Sequence, residues 1–312
     1  MKIIFLGSAQ FAVPALQALH KAGHIISCVV TQPDKHKGRG LPLASTAVKE
    51  AALAVGMRIY QPADINTTES VELLTSLKPD ILIVVAYGQI LSSKVLSIPQ
   101  ILPLNLHASL LPYYRGAAPV NWAIIRGEKT TGVTIMKVIK EMDAGPIITQ
   151  KTIAIRDDET AEALASRLSV MGAEVLLTSL AAIAENKYSL ASQEGRDASY
   201  APKLKKAHGL INWNDPMVKI CNLVRGLSPW PSAFTHYKGK LLKITSARPY
   251  TESRVDSFPP GMILCIHKEG IEVKAGDGSL LIEELQIEGK KKMPVSEFIQ
   301  GHKIKVAEKL GE

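Results

Sequence analysis

Cysteine is scarce: Cys28, Cys221 and Cys265 are the three in 312 residues, and no two form a Cys-x-x-Cys pair. A disulfide framework or a zinc site is therefore not expected, and a reducing cytoplasm fits. No uninterrupted apolar run reaches the roughly 18–20 residues of a membrane span, so no membrane partner is expected. The N-terminus, Met1-Lys-Ile-Ile-Phe-Leu-Gly7, meets a glycine after one short apolar run, which reads as a first strand and not a signal peptide. No Gly-x-Gly-x-x-Gly follows it; Gly7-Ser-Ala-Gln-Phe-Ala12 stands there, so no bound dinucleotide is expected. Internal repeats and low-complexity tracts are absent as well.

Hydrophobic residues make up 46% and charged residues 21%, the balance of a globular chain long enough for one large domain or two ordinary ones. The net charge of +8 is uneven. Residues 1–186 carry 17 Lys/Arg against 15 Asp/Glu, whereas 187–312 carry 20 against 14. A positive excess in the second part suits a polyphosphate partner such as nucleic acid, or simply a solubilising surface.

Lys2–Leu6 and Ile25–Val30 read as strands flanking a helix whose apolar residues, Ala12 to Leu19, recur at helical spacing. Strand, helix, strand in about 30 residues implies a parallel sheet. Thr31 to Pro42 is a Gly- and Pro-punctuated loop made basic by Lys35, Lys37 and Arg39. Further helices are expected over 45–55, 67–77, 119–126 and 159–185, and strands over 57–60, 81–86, 132–139 and 147–155. The last two form a hairpin-like pair around Asp143. Residues 187–208, with Lys203, Lys205 and Lys206, read as a linker between a domain of 1–186 and one of 209–312. The latter has a helix over 216–225, then short strands over 233–237, 241–247, 262–266, 270–274 and 279–285, the pattern of a small barrel or sandwich.

The chemistry concentrates where an apolar run ends in Asn105-Leu-His107 and enters the loop Ala108–Pro119. Two residues apart on an extended segment share a face. An Asn amide and a charged His can stabilise an oxyanion, and a carboxylate such as Asp143 can hold the His charged and collect a proton. Ser109 is close, but no Gly-x-Ser-x-Gly surrounds it. One His and one Asp lack the partners of a zinc site, so no metal is expected. On spacing alone such a trio is also compatible with ordinary turn-capping residues.

Asn105-Leu-His107, Ser109-Leu-Leu-Pro112, Arg115-Gly-Ala-Ala-Pro119, Thr131-Gly-Val-Thr134 and Met142-Asp-Ala-Gly145 together resemble the folate-dependent formyltransferases. Thr31-Gln-Pro-Asp34, Val85-Ala-Tyr-Gly88, Ile211-Asn-Trp213, Ser228-Pro-Trp-Pro231 and Ala275-Gly-Asp-Gly278 extend the likeness over almost the whole chain. The resemblance implies an α/β, Rossmann-like, mostly parallel catalytic domain followed by a small OB-like β-barrel. It implies formyl transfer from 10-formyltetrahydrofolate, as co-substrate, to an amine, with Asn105, His107 and Asp143 catalytic. Tyr87, Gly88, Ser109, Leu110, Leu111 and Pro112 would lie against the folate. The acceptor it favours is the α-amine of methionine on initiator tRNA, in translation initiation, with the 34–42 loop, led by Arg39, and the second domain holding the tRNA. One departure is Leu41-Pro-Leu43, where further lysines are expected after the Gly-Arg-Gly turn. A monomer is expected. The rival readings are a small-molecule formyltransferase, a formyl-folate hydrolase or dehydrogenase module, for which further domains would be expected beyond residue 312, and a non-catalytic RNA-binding protein on the same scaffold.

Overall fold

The computed structural model describes residues 1–36, 43–193, 197–250 and 258–311. The chain forms two compact units, one of Met1–Gly116, Thr131–Ile153 and Ala165–Tyr200, the other of Ala117–Thr130, Ala154–Leu164 and Ala201–Glu312.

The first unit is built on seven strands: β1 (Lys2–Gly7), β2 (Ile25–Val30), β3 (Ile59–Tyr60), β4 (Ile81–Val85), β5 (Leu102–His107), β6 (Thr130–Lys137) and β7 (Ile147–Ala154). Their order is β7-β6-β5-β4-β1-β2-β3. From β5 to β3 every pairing is parallel, and β6 runs antiparallel to β5. Ile3 to Leu6 and Ile81 to Ile83 are wholly buried, as expected of parallel strands covered on both faces. The chain starts at mid-sheet, runs outward to β3 and returns on the other side of β1 as β4. The point where the order reverses, outside the carboxyl ends of the strands, is where an open α/β sheet offers a crevice.

Helices α1 (Val13–Lys21), α2 (Ala47–Leu53), α3 (Thr68–Ser76) and α4 (Ser93–Leu96) connect the parallel strands. Thr46, Thr67 and Ser92 cap the last three by accepting from a backbone N–H three residues on. After α5 (Pro119–Ile125) comes the long α6 (Ala161–Ala184). By length and composition α6 could cross a membrane, a feature that a search for uninterrupted apolar runs passes over because Glu162, Arg167 and Glu174 punctuate it. It is a core helix here: Leu168, Leu176 and Leu180 are fully buried. At Gly172 it approaches β5 closely: a Cβ there would lie 2.9 Å from both methyl carbons of Leu106.

The segment expected as a linker over 187–208 belongs to the first unit as far as Tyr200. Ala191 and Ile147 exchange both backbone hydrogen bonds, at 2.8 and 2.9 Å. The second unit in turn takes 117–130 and 154–164 from the part of the chain expected to form the first domain.

In the second unit α7 (Met217–Gly226) precedes β8 (Ala233–Tyr237), β9 (Lys240–Tyr250), β10 (Ile263–Ile266), β11 (Ile271–Lys274), β12 (Ser279–Ile287) and β13 (Met293–Pro294), and α8 (Val295–Gly301) follows them. The strands make one six-stranded antiparallel sheet, ordered β8-β9-β12-β11-β10 with β13 beside β12. Its core joins Ile220 and Val224 of α7 to Ile244, Val273, Leu285 and Phe298 of α8. Strand β13 and helix α8 were not expected from the sequence. Residues 304–311 fold back on this sheet through Glu308, which accepts from Tyr237 Oη and lies 2.8 Å from Lys238 Nζ.

Hydrogen bonds from Lys238 and Tyr237 hold the Glu308 carboxyl down at about 2, against a usual 4.5. A depressed folded-state value contributes stability above the unfolded value that is lost as pH falls through the folded one. Between pH 4.5 and 2 the wild type should therefore lose more stability than Glu308→Gln, measured by urea unfolding. Parallel pH curves for the two proteins would contradict this anchor.

Candidate functional site

The alternation Leu104-Asn105-Leu106-His107 places two polar side chains on one face of β5. Leu106 points to α6, so Asn105 and His107 point the other way. Asn105 pairs with Val84 of β4 and with Met136 of β6, and His107 with Thr134. Both therefore stand at the carboxyl end of a central strand, the position from which a side chain reaches the crevice.

His107 is 6% exposed, so its two ring nitrogens see only protein or a ligand. Nε2 lies 3.0 Å from the backbone oxygen of Tyr114. A carbonyl only accepts, so Nε2 carries the proton. Nδ1 lies 3.7 Å from Asp143 Oδ2, close enough for ion pairing and too far for a direct hydrogen bond. Protonated at Nδ1 as well, the ring would be an imidazolium facing a carboxylate, with an N–H left to point at a ligand. Asn105 Nδ2 donates to Asp143 Oδ1 at a long 3.4 Å, and its amide has a second N–H.

Asp143 reaches this pair from the turn between β6 and β7, the hairpin tip expected from the sequence. It has φ of 51°, the left-handed region that few residues other than glycine adopt. Its Oδ2 accepts from Gly116 N at 2.8 Å. Two residues on, Gly145 has no room for a side chain: a Cβ would sit 1.8 Å from Lys137 O. The sequence Asp143-Ala-Gly145 thus folds the turn back against β6 and aims the carboxylate at the end of β5.

The loop after β5 is braced from below. Ser109 Oγ donates to Tyr113 O at 2.6 Å and is wholly buried, so Ser109 holds the loop together and is no nucleophile. Thr134 Oγ1 donates to Ser109 O at 2.6 Å and accepts from Leu111 N at 3.1 Å and Gln150 Nε2 at 2.9 Å. Gln150 Nε2 also lies 2.8 Å from Leu111 O. Among the residues expected against the folate, the Leu111 side chain is buried as well, whereas Leu110 and Pro112 are half-buried. The Tyr87 ring belongs to the core with Ile4, Leu6 and Leu82, and burial pushes its phenol up. Tyr87 can serve a ligand only through its backbone, whose carbonyl accepts from Ser8 Oγ. Gly88, with φ of 93°, turns the chain beside it.

Lys35 is exposed, with Nζ 3.4 Å from Gln32 Oε1. Lys203, Lys205 and Lys206 are all exposed, near the start of the last segment of the second unit. Lys37 and Arg39 lie outside the described residues. Among the described residues no group of three or more His, Cys, Asp or Glu could hold a metal. Sequence reasoning missed Gln150, Gln193 and Ser199. Ser199 Oγ accepts from Tyr114 N at 2.9 Å, and Ser199 O accepts from Arg115 N at 2.8 Å. None of the three sits in a pattern that marks it; each is a lone polar residue whose partner is distant in sequence.

Residues 1–180 match the model of the formyl transferase family, and 203–303 match the formyl transferase C-terminal domain. The chain is 46% identical over 312 residues to the methionyl-tRNA formyltransferase of Alkaliphilus metalliredigens, covering 100% of this chain and 99% of the other. It is 43% identical over 305 residues to that of Caldanaerobacter subterraneus subsp. tengcongensis, covering 97% and 98%. Among solved structures it is similar in fold to HypX from Aquifex aeolicus in complex with tetrahydrofolic acid, with a TM-score of 0.66 and 19% identity. The match covers 96% of this chain and 47% of HypX, so the chain spans about half of that protein's length. It is similar also to an N-formyltransferase from Helicobacter canadensis, with a TM-score of 0.67 and 19% identity, over 90% of this chain and 98% of that one.

The loop's dependence on one hydroxyl can be tested. Thr134→Val keeps the shape and leaves Leu111 N and Ser109 O without their buried partner. The expected loss is about 1–3 kcal/mol of stability in urea unfolding. A loss under about 0.5 kcal/mol, within the range of an ordinary surface substitution, would mean that the loop is held by other contacts.

Proposed function

The chain belongs to the formyltransferase family, and from that premise we propose that it transfers the formyl group of 10-formyltetrahydrofolate to the α-amine of the methionine carried by initiator tRNA. The observation that carries the chemistry is the arrangement at the end of β5. Asn105, whose amide keeps an N–H beyond its bond to Asp143, and His107, whose Nδ1 faces Asp143 at 3.7 Å, flank a carboxylate held by backbone.

The co-substrate supplies an activated formyl group on nitrogen. Leu110, Pro112 and the backbone at Tyr87–Gly88 are the surfaces for its ring system. Asn105 and His107 donate to the formyl oxygen as the amine nitrogen bonds to the formyl carbon and negative charge develops on that oxygen. Asp143 accepts the proton that the attacking ammonium gives up. The bond from the formyl carbon to the donor's nitrogen then breaks, and that nitrogen takes a proton in exchange. No covalent adduct with the protein is needed, which agrees with Ser109 being tied to Tyr113 O.

The acceptor assignment is supported by full-length likeness to methionyl-tRNA formyltransferases at 43–46% identity. It is supported too by the positive excess beyond residue 186, where 20 Lys/Arg face 14 Asp/Glu. Lys35, Lys37 and Arg39 of the 34–42 loop, led by Arg39, would reach the tRNA, together with Lys203, Lys205 and Lys206. The protein would work in the cytoplasm, as a monomer, supplying formylmethionyl-tRNA for translation initiation.

Incubation with 10-formyltetrahydrofolate and either charged initiator tRNA or glycinamide ribonucleotide tests the acceptor: formyl-methionine should form, and the nucleotide should stay unmodified. Asn105→Ala should lower kcat about 10²–10³-fold, the cost of one oxyanion donor. His107→Ala and Asp143→Asn should do at least as much, and near-normal turnover in all three would contradict the mechanism. Replacing Lys203, Lys205 and Lys206 together by alanine should raise KM for tRNA and flatten the log–log salt dependence of binding by about 3. An unchanged slope would remove these lysines from the tRNA interface.

A further inference from the structure

Gln193 lies 50 residues beyond Asp143 in sequence and touches it in space. Its side-chain amide is fully engaged. Nε2 donates to Asp143 O at 2.9 Å and to Gly145 O at 2.7 Å. Oε1 accepts from Arg115 Nε at 3.1 Å and Nη2 at 2.7 Å. Arg115, whose guanidinium holds Gln193, is 8% exposed. One amide therefore joins the loop after β5, through Arg115, to the turn between β6 and β7, through the two carbonyls that flank Ala144.

That turn is where positioning is hardest. Asp143 is in the left-handed region, and Gly145 crosses Lys137 O with no space for a Cβ. Along the turn's own backbone, Ala144 N reaches Glu141 O only at 3.4 Å. A residue with this backbone persists only when its surroundings over-determine it. We propose that Gln193 is a positioning residue for the reaction: through the carbonyls of Asp143 and Gly145 it fixes the turn that aims the Asp143 carboxylate at Asn105 and His107. Arg115 sets the rotamer of Gln193 and fixes which end of the amide faces the turn, because a guanidinium only donates and a carbonyl only accepts.

Ala191, two residues before Gln193, pairs with Ile147, and Ser199 pairs with Tyr114 and Arg115. Gly116 N, next to Arg115, donates to the Asp143 carboxylate itself, so the partner of Gln193 and a partner of the carboxylate are neighbours on one loop.

The inference rests on the formyl-transfer reading, so the wild type is assayed first; if it transfers no formyl group, that reading fails and the inference is then judged on amide exchange alone. Two variants separate the contacts. Gln193→Met keeps the length and loses every hydrogen bond. Gln193→Glu keeps an acceptor for Arg115 and loses the donors to the turn. In both, kcat should fall on the order of 10²-fold, the scale of a small misplacement of a catalytic group. KM for both substrates should stay within about twofold, because Gln193 touches only groups that place the carboxylate. Hydrogen exchange at the Gly116 amide, which reports where the Asp143 carboxylate is, should accelerate in both, whether or not turnover is measured. If Gln193→Met does not fold, Gln193→Glu decides. Wild-type kcat in Gln193→Glu, or unchanged Gly116 exchange in a folded variant, would overturn the proposal.

Discussion

The Asp143 carboxylate is shared by three groups from β5 and the loop that follows it: Gly116 N at 2.8 Å, Asn105 Nδ2 at 3.4 Å and His107 Nδ1 at 3.7 Å. Only the backbone contact is short. The two side chains that would face a formyl oxygen are held loosely by the carboxylate, with N–H capacity to spare. Everything around this arrangement serves to bring a hairpin tip and a strand end together. The left-handed φ of Asp143, the side-chain-free crossing at Gly145 and the brace from Gln193 place the carboxylate. The close approach of Gly172 to Leu106 seats the strand. Thr134 and Gln150 hold the loop beyond it.

The placement follows from the sheet. Order β7-β6-β5-β4-β1-β2-β3 puts the parallel strands at the centre with their carboxyl ends on one side. β5 is flanked by parallel β4 and antiparallel β6, so the turn leaving β6 arrives beside the residues that end β5. A hairpin appended to a parallel sheet delivers a carboxylate to a site whose other members come from a single strand. The second unit, an antiparallel sheet packed on α7 and α8, contributes none of these groups. Its part in function is assigned through charge and full-length likeness to relatives.

Much of this was legible in the sequence. The βαβ start, the central apolar strand and the hairpin around Asp143 all declare themselves by periodicity, because burial of one face or both imposes it. Strands 25–30 and 233–237 have the expected bounds. Asn105 and His107 stood out as a polar pair on one face of an extended segment, but their spacing also fitted turn-capping residues, and the trio with Asp143 was named through the resemblance to the formyltransferases. Other features were not legible. Ser109 and Leu111 sit in a motif that the resemblance places against the folate, yet the Ser109 hydroxyl turns inward to donate to Tyr113 O and the apolar Leu111 side chain is buried. The polar stretch after Asn186 reads as a linker since its residues bury little apolar surface. Ala191, Gln193 and Ser199 within it make hydrogen bonds to partners tens of residues away, which no local pattern encodes. β13 and α8 are too short for periodicity to mark.

The central claim is that His107 is oriented by the Tyr114 carbonyl, with Nε2 protonated and Nδ1 turned to Asp143 and the reacting position. Nitrogen-15 NMR of the histidine rings, assigned by comparison with His107→Gln, reads this directly. The account requires Nε2 of His107 to carry the proton that the Tyr114 carbonyl accepts in the folded protein. A tautomer with the proton on Nδ1 and a bare Nε2 would contradict it.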